Sequence, residues 1–472
     1  MNDYAPTTAF TAETAVASVD ASSTSLLTDM YELTMLQGAL ASGTATRRSV
    51  FELFGRGLPA SRRFGVVAGT GRLLDAIEAF TFTPSQIDFL HRTGVVNDET
   101  LDFLRDYRFT GTVRGYAEGE CYFAGSPLLT VEGTFAEACI LETLALSIYN
   151  YDCAVASAAS RMTIAAHGRP CVDFGARRAH EQAAVAAARA SVVGGFVGTS
   201  NLEAGLLYGI PTVGTSAHSF TLLHDSEEDA FAAQVASLGP STTILVDTYD
   251  IATGVERAVK AARAAGGELG AVRLDSGDLV AEAFKVRAQL DALGATSTKI
   301  TVTNDLDEHA IAALGAAPVD SYGVGTKLVT GSGRPTAALV YKLVEREGAD
   351  GTMEEVAKFS SGGKSTVGGR KWAGRTLTSE GTAAEELVVS SSSQDQGLAA
   401  LSEAGARPLQ VLLVDEGRII EEHRGKEALS AAAERHRAAR AELPYDAWRL
   451  SNGESALPTR HVDLDGRSAT RR

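Results

Sequence analysis

From about residue 168 to 345 the chain repeats one pattern, and that pattern limits the folds open to it. Short apolar, β-branched runs recur: "PCVDFG", "GFVGTSN", "PTVGT", "TILVDTY", "GAVRLDSGD", "KITVTND", "SYGVGT" and "TAALVYKLV". Alanine-rich segments of helical character, such as "GVERAVKAARAAG" and "LVAEAFKVRAQLDALG", separate most of them. Strand then helix, repeated roughly every 25–30 residues, is the pattern of parallel βαβ units. Seven or eight such runs predict a closed α/β barrel, placed over 151–345, in preference to an open sheet.

The flanks read differently. Over 25–150, "SVFELFGR" alternates like a strand, and "GVVAGTGRLLDAIEAF" turns helical with Leu73, Leu74 and Ile77 on its apolar side. "TFAEACILETLALSIYN" carries a helix start signal, Thr134 followed three residues later by Glu137. This region is expected to be an α+β domain, completed by about 346–450, where a polar, glycine-rich stretch gives way to the helical "KEALSAAAERHRAARAEL". Residues 1–24 are expected to be a disordered tail and 451–472 a frayed one.

Bulk properties exclude several classes. Among 472 residues, 44% are hydrophobic and 22% charged, as in ordinary globular proteins. The net charge of −16 argues against nucleic acid as a partner. Cys121, Cys139, Cys153 and Cys171 form no CxxC pair, so they read as reduced, buried residues of a cytoplasmic protein. The N-terminal stretch has no basic start or apolar core, and "AAVAAARASVVGGFVG" is interrupted by Arg189 and too short to span a bilayer. No membrane association is expected.

Nearly every barrel run ends in a polar residue or a glycine: Asp173, Ser200 with Asn201, Thr215 through His218, Asp247, Asp275, Asn304, and Gly323 with Gly325. Any one of these could simply start a loop or cap a helix. As a ring they suggest a ligand-filled mouth, because the C-terminal strand ends of an α/β barrel converge on one face. "AVRLDSGDL" is the sharpest motif. Its strand period places Arg273 and Asp275 on one side, before the Ser276–Gly277–Asp278 turn. Arginine grips phosphate oxygens, and an adjacent aspartate can hold ribose hydroxyls or Mg²⁺ on a pyrophosphate. "YGVGTKLVTGSGRPT" supplies backbone amides suited to a phosphate. "KFSSGGKSTVGGRKWAGR" concentrates Lys358, Lys364, Arg370, Lys371 and Arg375, as either a solvated loop or a polyphosphate contact. In "DFGARRAHEQ", Phe174 could stack on a flat ring and Arg177 pair with a carboxylate.

Taken together, "LLTDMYELTM", "DFGARRAH", "GTSAHSF", "LVDTYD", "VRLDSGDL" and "YGVGTKLVT" resemble the nicotinate phosphoribosyltransferase family, in that order and across residues 25–375. The resemblance implies a type II phosphoribosyltransferase, an irregular α/β barrel packed beside an α+β domain. It implies that nicotinate and phosphoribosyl pyrophosphate are joined to give nicotinate mononucleotide and pyrophosphate, the first step of NAD synthesis from nicotinate, with Mg²⁺ as cofactor. ATP would be a co-substrate, hydrolysed through a phosphohistidine. It also implies a homodimer with shared sites, the tyrosine near the N-terminus crossing the interface.

Carried onto this chain, Tyr31 and Phe174 would sandwich the pyridine, with Arg177, Ser200 and Thr215 beside it. Arg273, Asp275, Ser276, Gly277 and Asn304 would hold the phosphoribosyl pyrophosphate, and Gly323, Gly325 and Thr326 its 5′-phosphate. His218 would be phosphorylated, with Asp247 orienting its ring. No residue is assigned as a dedicated metal ligand; Asp275 is the candidate for Mg²⁺. The family's basic loop carries a proline in "TxPGxK", where this chain reads "TVGGRK" with Gly368 in that place. Related nicotinamide-using enzymes place an acid about where Ser200 stands, so a neutral residue suits the anionic nicotinate. The alternatives are a nicotinamide- or quinolinate-type transferase, a nucleotide-binding regulatory module, or a sugar-phosphate barrel lyase using Lys299 or Lys327.

Overall fold

The structure, a computed structural model, describes residues 23–358 and 366–466. The half that carries the strand–helix repeat is built on a six-stranded parallel sheet. The order is Gly198–Thr199, Cys171–Asp173, Ser321–Val324, Lys299–Val302, Ala271–Leu274, Thr243–Leu245. A single parallel bridge between Thr199 and Thr212 adds the "PTV" run at one edge. Seven of the eight runs therefore join this sheet. It is curled rather than closed: among the described residues no ladder links Thr212 to the Thr243–Leu245 strand at the other edge. Pro211 has no N–H to donate, and the small residues after Val213 turn away into the helix His218–Leu223, so this run offers little to pair with. Helices Ile251–Ala264 and Leu279–Ala292 are the expected crossovers.

The eighth run corrects the expectation. Leu339–Glu347 pairs antiparallel with Arg48–Gly55 in a different sheet. Between it and Val324 lie only the four-residue helix Thr326–Val329 and the turn Gly331–Gly333, which cannot cover a sheet face as a crossover helix must. That second sheet has seven strands, built on Arg48–Gly55, Pro127–Thr134 and Thr112–Tyr116, with Leu339–Glu347 and Met353–Glu355 on one side and Gln410–Asp415 and Arg418–Ile419 on the other.

Thr134 does form a capping box with Glu137, but that helix ends at Cys139. A new helix, Glu142–Ala165, runs 24 residues. Its first half (Leu144, Ala145, Ile148, Cys153) belongs to the core of the antiparallel sheet, and its second half (Val155, Ala158, Ala159, Met162) to the core of the parallel one. One continuous helix thus fixes the two units against each other.

A third, four-stranded sheet was not anticipated. It orders Ala406–Pro408, Lys371–Leu377, Ala383–Ser390 and Thr459–Asp463 over a small core of Trp372, Leu387, Val389 and Leu401. The expectation of a frayed tail from 451 is corrected here, because Thr459–Asp463 pairs in parallel with Glu386–Ser390. The expected N-terminal tail falls largely on residues 1–22, outside the described residues; Ser23 and Thr24 donate to the carbonyls of Thr81 and Ala76 at 2.6 Å. All four cysteines are free and buried, and burial pushes Cys121 and Cys171 up to about 12. No helix among the described residues is long and apolar enough to cross a membrane.

Candidate active site

At the C-terminal end of the parallel sheet, backbone geometry places an aromatic ring first. Asp173 is buried at its strand end, where its carboxylate accepts the Gly175 N–H and the Thr199 hydroxyl, both at 2.7 Å. Burial raises its pKa. This latch, with Phe174 N donating to Val324 O at 2.8 Å, fixes the turn that carries Phe174. Gly323 on the neighbouring strand leaves room for the ring: a Cβ there would lie 2.5 Å from Phe174 Cδ2.

The Arg273 guanidinium sits over the same ring at 5.9 Å. It is mostly buried, and its bonding is incomplete. Nη1 reaches Ser216 O at 3.5 Å, Nη2 lies 3.8 Å from Asp275 Oδ1, and the buried Nε has no partner. Burial holds its pKa below the usual arginine value against the opposing pull of Asp275 and Asp247. A desolvated, under-bonded cation beside a cavity is a site for an anion. The cavity is about 380 Å³, lined by Phe174, Arg177, Ser200, Thr215 and Arg273. It adjoins a space of about 630 Å³ on the concave side of the sheet, sharing Phe174, Thr215 and Arg273. Inward positions there carry Thr301, Ser321 and Gly323 beside Val172, smaller or more polar than the Val, Ile and Leu that fill a packed barrel.

The next strand ends carry a chain of polar contacts. Asp275 Oδ1 accepts the Thr303 hydroxyl. Asp247, almost fully buried, uses Oδ2 to accept both Asp275 N at 3.0 Å and Ser276 Oγ at 2.6 Å. Its other oxygen, Oδ1, is buried without a hydrogen bond and lies 3.8 Å from His218 Nε2. His218 Nδ1 is 3.1 Å from Thr248 Oγ1, and the His218 side chain is 41% exposed. A histidine that opens a helix at a strand-end mouth, with a buried carboxylate on one nitrogen and a hydroxyl on the other, is suited to a nucleophilic role. Gly277 takes φ +82, a turn that favours glycine, and Asp278 then caps helix Leu279–Ala292. Asn304 follows its strand in the left-handed region at φ +95, exposed.

The structure brings Phe174, Arg177, Ser200, Thr215 and Arg273 to one cavity, and Gly323 to the adjoining space that shares Phe174, Thr215 and Arg273. It also links His218 to the Asp275–Ser276 turn through Asp247. Gly325 caps the short helix Thr326–Val329 beside the Phe174 turn, where a Cβ would lie 3.5 Å from Phe174 O. Tyr31 stands apart. It is 45% exposed on helix Met30–Ala41, and no residue of that helix lines the Phe174 cavity. Burial and the Glu142 charge raise its pKa.

The basic stretch is largely structural. Arg370 pairs with Glu132 at 2.7 Å, Lys371 with Glu52 at 2.8 Å, and the buried Arg375 with Glu386 at 2.9 Å. Lys364 lies outside the described residues, while Lys358 is exposed. Lys299 opens its strand and so lines the opposite end of the 630 Å³ space, and Lys327, just after its strand, is exposed and lines neither cavity; neither is placed as a buried Schiff-base lysine. Thr248, Thr303 and Thr199, which hold His218, Asp275 and Asp173, were not singled out from the sequence. Their signal is only a threonine beside or opposite a strand-end acid.

Comparison with known proteins bears on the same residues. A model described as the nicotinate phosphoribosyltransferase (NAPRTase) N-terminal domain matches residues 26–150, and one for the nicotinate phosphoribosyltransferase (NAPRTase) family matches 170–361. Nicotinate phosphoribosyltransferase pncB1 of Mycobacterium tuberculosis is 51% identical over 445 residues, 93% of this chain and 95% of that protein. The nicotinate phosphoribosyltransferase of Homo sapiens is 31% identical, over 77% of this chain and 79% of its own. The crystal structure of human nicotinic acid phosphoribosyltransferase shares the fold at a TM-score of 0.78, with 24% identity, covering 92% of this chain and 97% of that one. With a relative matched at half its residues over nearly its whole length, the chain belongs to the nicotinate phosphoribosyltransferase family.

Proposed function

We propose that this enzyme joins nicotinate to phosphoribosyl pyrophosphate, giving nicotinate mononucleotide and pyrophosphate, and hydrolyses ATP through a phosphorylated His218. The observation that carries the reading is Asp247. A single buried carboxylate lies 3.8 Å from His218 Nε2 and bonds the Asp275–Ser276 turn, one strand from the Phe174–Arg273 cavity.

The pyridine ring stacks on Phe174 and its carboxylate meets Arg177. The neutral Ser200 leaves that anion unopposed, which favours nicotinate over nicotinamide. Tyr31 of the partner subunit closes the sandwich, since this chain's own Tyr31 is exposed among the apolar Leu27, Met30 and Met35. A homodimer would cover that stripe. The ring nitrogen uses its lone pair to form the bond to C1 of the ribose as the C1–O bond breaks and pyrophosphate leaves with the electron pair. No proton moves in that step. Arg273, under-bonded and largely desolvated, faces the charge on the phosphate oxygens. Among the described residues no cluster of three or more His, Cys, Asp or Glu could hold a metal alone. Mg²⁺ would be held by the pyrophosphate oxygens with the partly exposed Asp275 as its protein carboxylate, and would supply charge neutralisation of the leaving group.

Incubating the protein with labelled nicotinate, phosphoribosyl pyrophosphate and Mg²⁺, with and without ATP, tests the reading. Nicotinate mononucleotide forms, more of it with ATP, and nicotinamide and quinolinate compete poorly. Absence of that product overturns the proposal. In His218→Ala, transfer persists at a lower level and loses its response to ATP.

A further inference from the structure

We infer that Ser276 is a positioning residue of the ATP-coupling device rather than a substrate contact, and that Asp247 is the lever it hangs from. This rests on the proposed ATP coupling. The Ser276 hydroxyl is already committed: it donates to Asp247 Oδ2 at 2.6 Å, and the Asp275 N–H joins it on the same oxygen at 3.0 Å. The opposite oxygen, Oδ1, is buried without a hydrogen bond, 3.8 Å from His218 Nε2. One carboxylate therefore has one side fully bonded to the sugar-binding turn and the other side waiting for the histidine.

The chemistry at His218 supplies what Oδ1 lacks. A buried acceptor without a donor favours the tautomer with hydrogen on Nε2, leaving the Nδ1 lone pair to the Thr248 hydroxyl at 3.1 Å. Attack of Nδ1 on the γ-phosphorus of ATP forms the N–P bond and breaks the P–O bond, and ADP leaves with the electron pair. The Nε2 proton stays, so the ring gains positive charge facing Asp247. A charge-assisted bond settles at about 2.7–2.9 Å, so the 3.8 Å gap closes by about 1 Å. Because Oδ2 holds both Ser276 Oγ and Asp275 N, that movement is delivered to the turn carrying Asp275. Asp275 is in turn tied to Thr303 and faces Arg273. Phosphorylation at one strand end thus re-aims the phosphoribosyl grip at the next.

A coupling of this kind is measured as a ratio. In the native protein, ATP is expected to lower the KM for phosphoribosyl pyrophosphate by about 5-fold or more. Ser276→Ala is expected to cut that factor to about 2-fold or less, while labelling of His218 by [γ-³²P]ATP persists. Ser276→Thr, which keeps a hydroxyl, restores the factor. A double-mutant cycle separates positioning from contact: adding Ser276→Ala to His218→Ala leaves the KM unchanged if Ser276 acts only through the histidine. A further rise in KM in that background means that Ser276 touches substrate, and the inference fails. Full ATP response in Ser276→Ala also overturns it, leaving the proposed activity standing. No ATP response in the native protein removes the proposed coupling and this inference with it.

Discussion

Replacing Gly323 with alanine puts a methyl group where Phe174 and Thr303 already stand. The new Cβ would lie 2.5 Å from Phe174 Cδ2 and Cε2 and 2.6 Å from Thr303 Cγ2. Comfortable carbon contacts begin near 3.5 Å, so about 1 Å of movement is required. Thr303 is buried and tied to Asp275, whereas the Phe174 ring borders the 380 Å³ cavity, so the ring gives way into the substrate space. Overpacking of this size costs about 1–3 kcal/mol, and the low end applies because the ring has room to retreat. The functional loss is larger, since a misplacement of about 1 Å can cost on the order of 100-fold. We expect kcat/KM for nicotinate to fall about 10- to 100-fold, or about 1.4–2.7 kcal/mol. The KM for ATP should barely move. Initial-rate kinetics with each substrate varied, beside a thermal melt, read both effects. Adding Thr303→Ser removes the second clash and keeps the hydroxyl. If that double variant recovers nicotinate use, the damage ran through Thr303 and Asp275, and the reasoning about the ring is refuted. An unchanged kcat/KM for nicotinate in Gly323→Ala refutes it outright.

Three further outcomes follow from other parts of the molecule. Mixing inactive Tyr31→Ala and Phe174→Ala proteins after reversible subunit exchange should restore activity at about a quarter of the sites, because each mixed dimer holds one intact sandwich; no recovery would place Tyr31 outside the partner's site. Arg375→Met leaves Glu386 and Glu120 buried without their shared cation and should destabilise the fold by about 3–5 kcal/mol in chemical denaturation; wild-type stability would return this arginine to the ligand-binding candidates. His436 is buried between Gly119 O and Ser160 Oγ, and burial, aided by Arg440, lowers its pKa to about 3. Between that value and about 6.5 the unfolded chain binds the extra proton, so stability is present at neutral pH and is lost as pH falls. His436 should account for about 2 kcal/mol of loss between pH 7 and pH 5, read as the difference between the native protein and His436→Gln; parallel curves would contradict it.

The catalytic half was legible because its strands are short, apolar and separated by helices, so the rhythm appears in one dimension. Leu339–Glu347 shares that apolar character but belongs to the antiparallel sheet. What decides its place is its partner, Arg48–Gly55, far away in the chain. Thr459–Asp463 failed in the opposite way: an edge strand of mixed exposure carries no apolar signal, and pairing alone makes it a strand. The positions of the strand-end residues were legible because most of them directly follow a short apolar strand such as Thr243–Leu245, Ala271–Leu274 or Lys299–Val302, and so lie at its C-terminal end whatever the loop does next. The hydrogen bonds within the ring were not, since Thr248–His218 and Thr303–Asp275 depend on how far neighbouring strands are staggered.

Charge was the least legible quantity. Arg370, Lys371 and Arg375 looked like a basic patch in an acidic protein, yet each meets a glutamate from another element: Glu132, Glu52 and Glu386. A sequence records the cations of a segment but not the anions folded onto it, so clustering overstates the free positive charge. Arg273 shows the converse. It sits in an apolar run that reads as core, yet its head borders the cavity and its nearest carboxylate, Asp275, lies 3.8 Å away, beyond hydrogen-bond distance. The distinction is energetic: Lys371 is hydrogen-bonded to Glu52 at 2.8 Å inside the protein, whereas Arg273 has only long contacts to Asp275 and Ser216 and gains more from a ligand. The cation that borders a cavity, not the dense cluster, is where an anionic substrate should be sought.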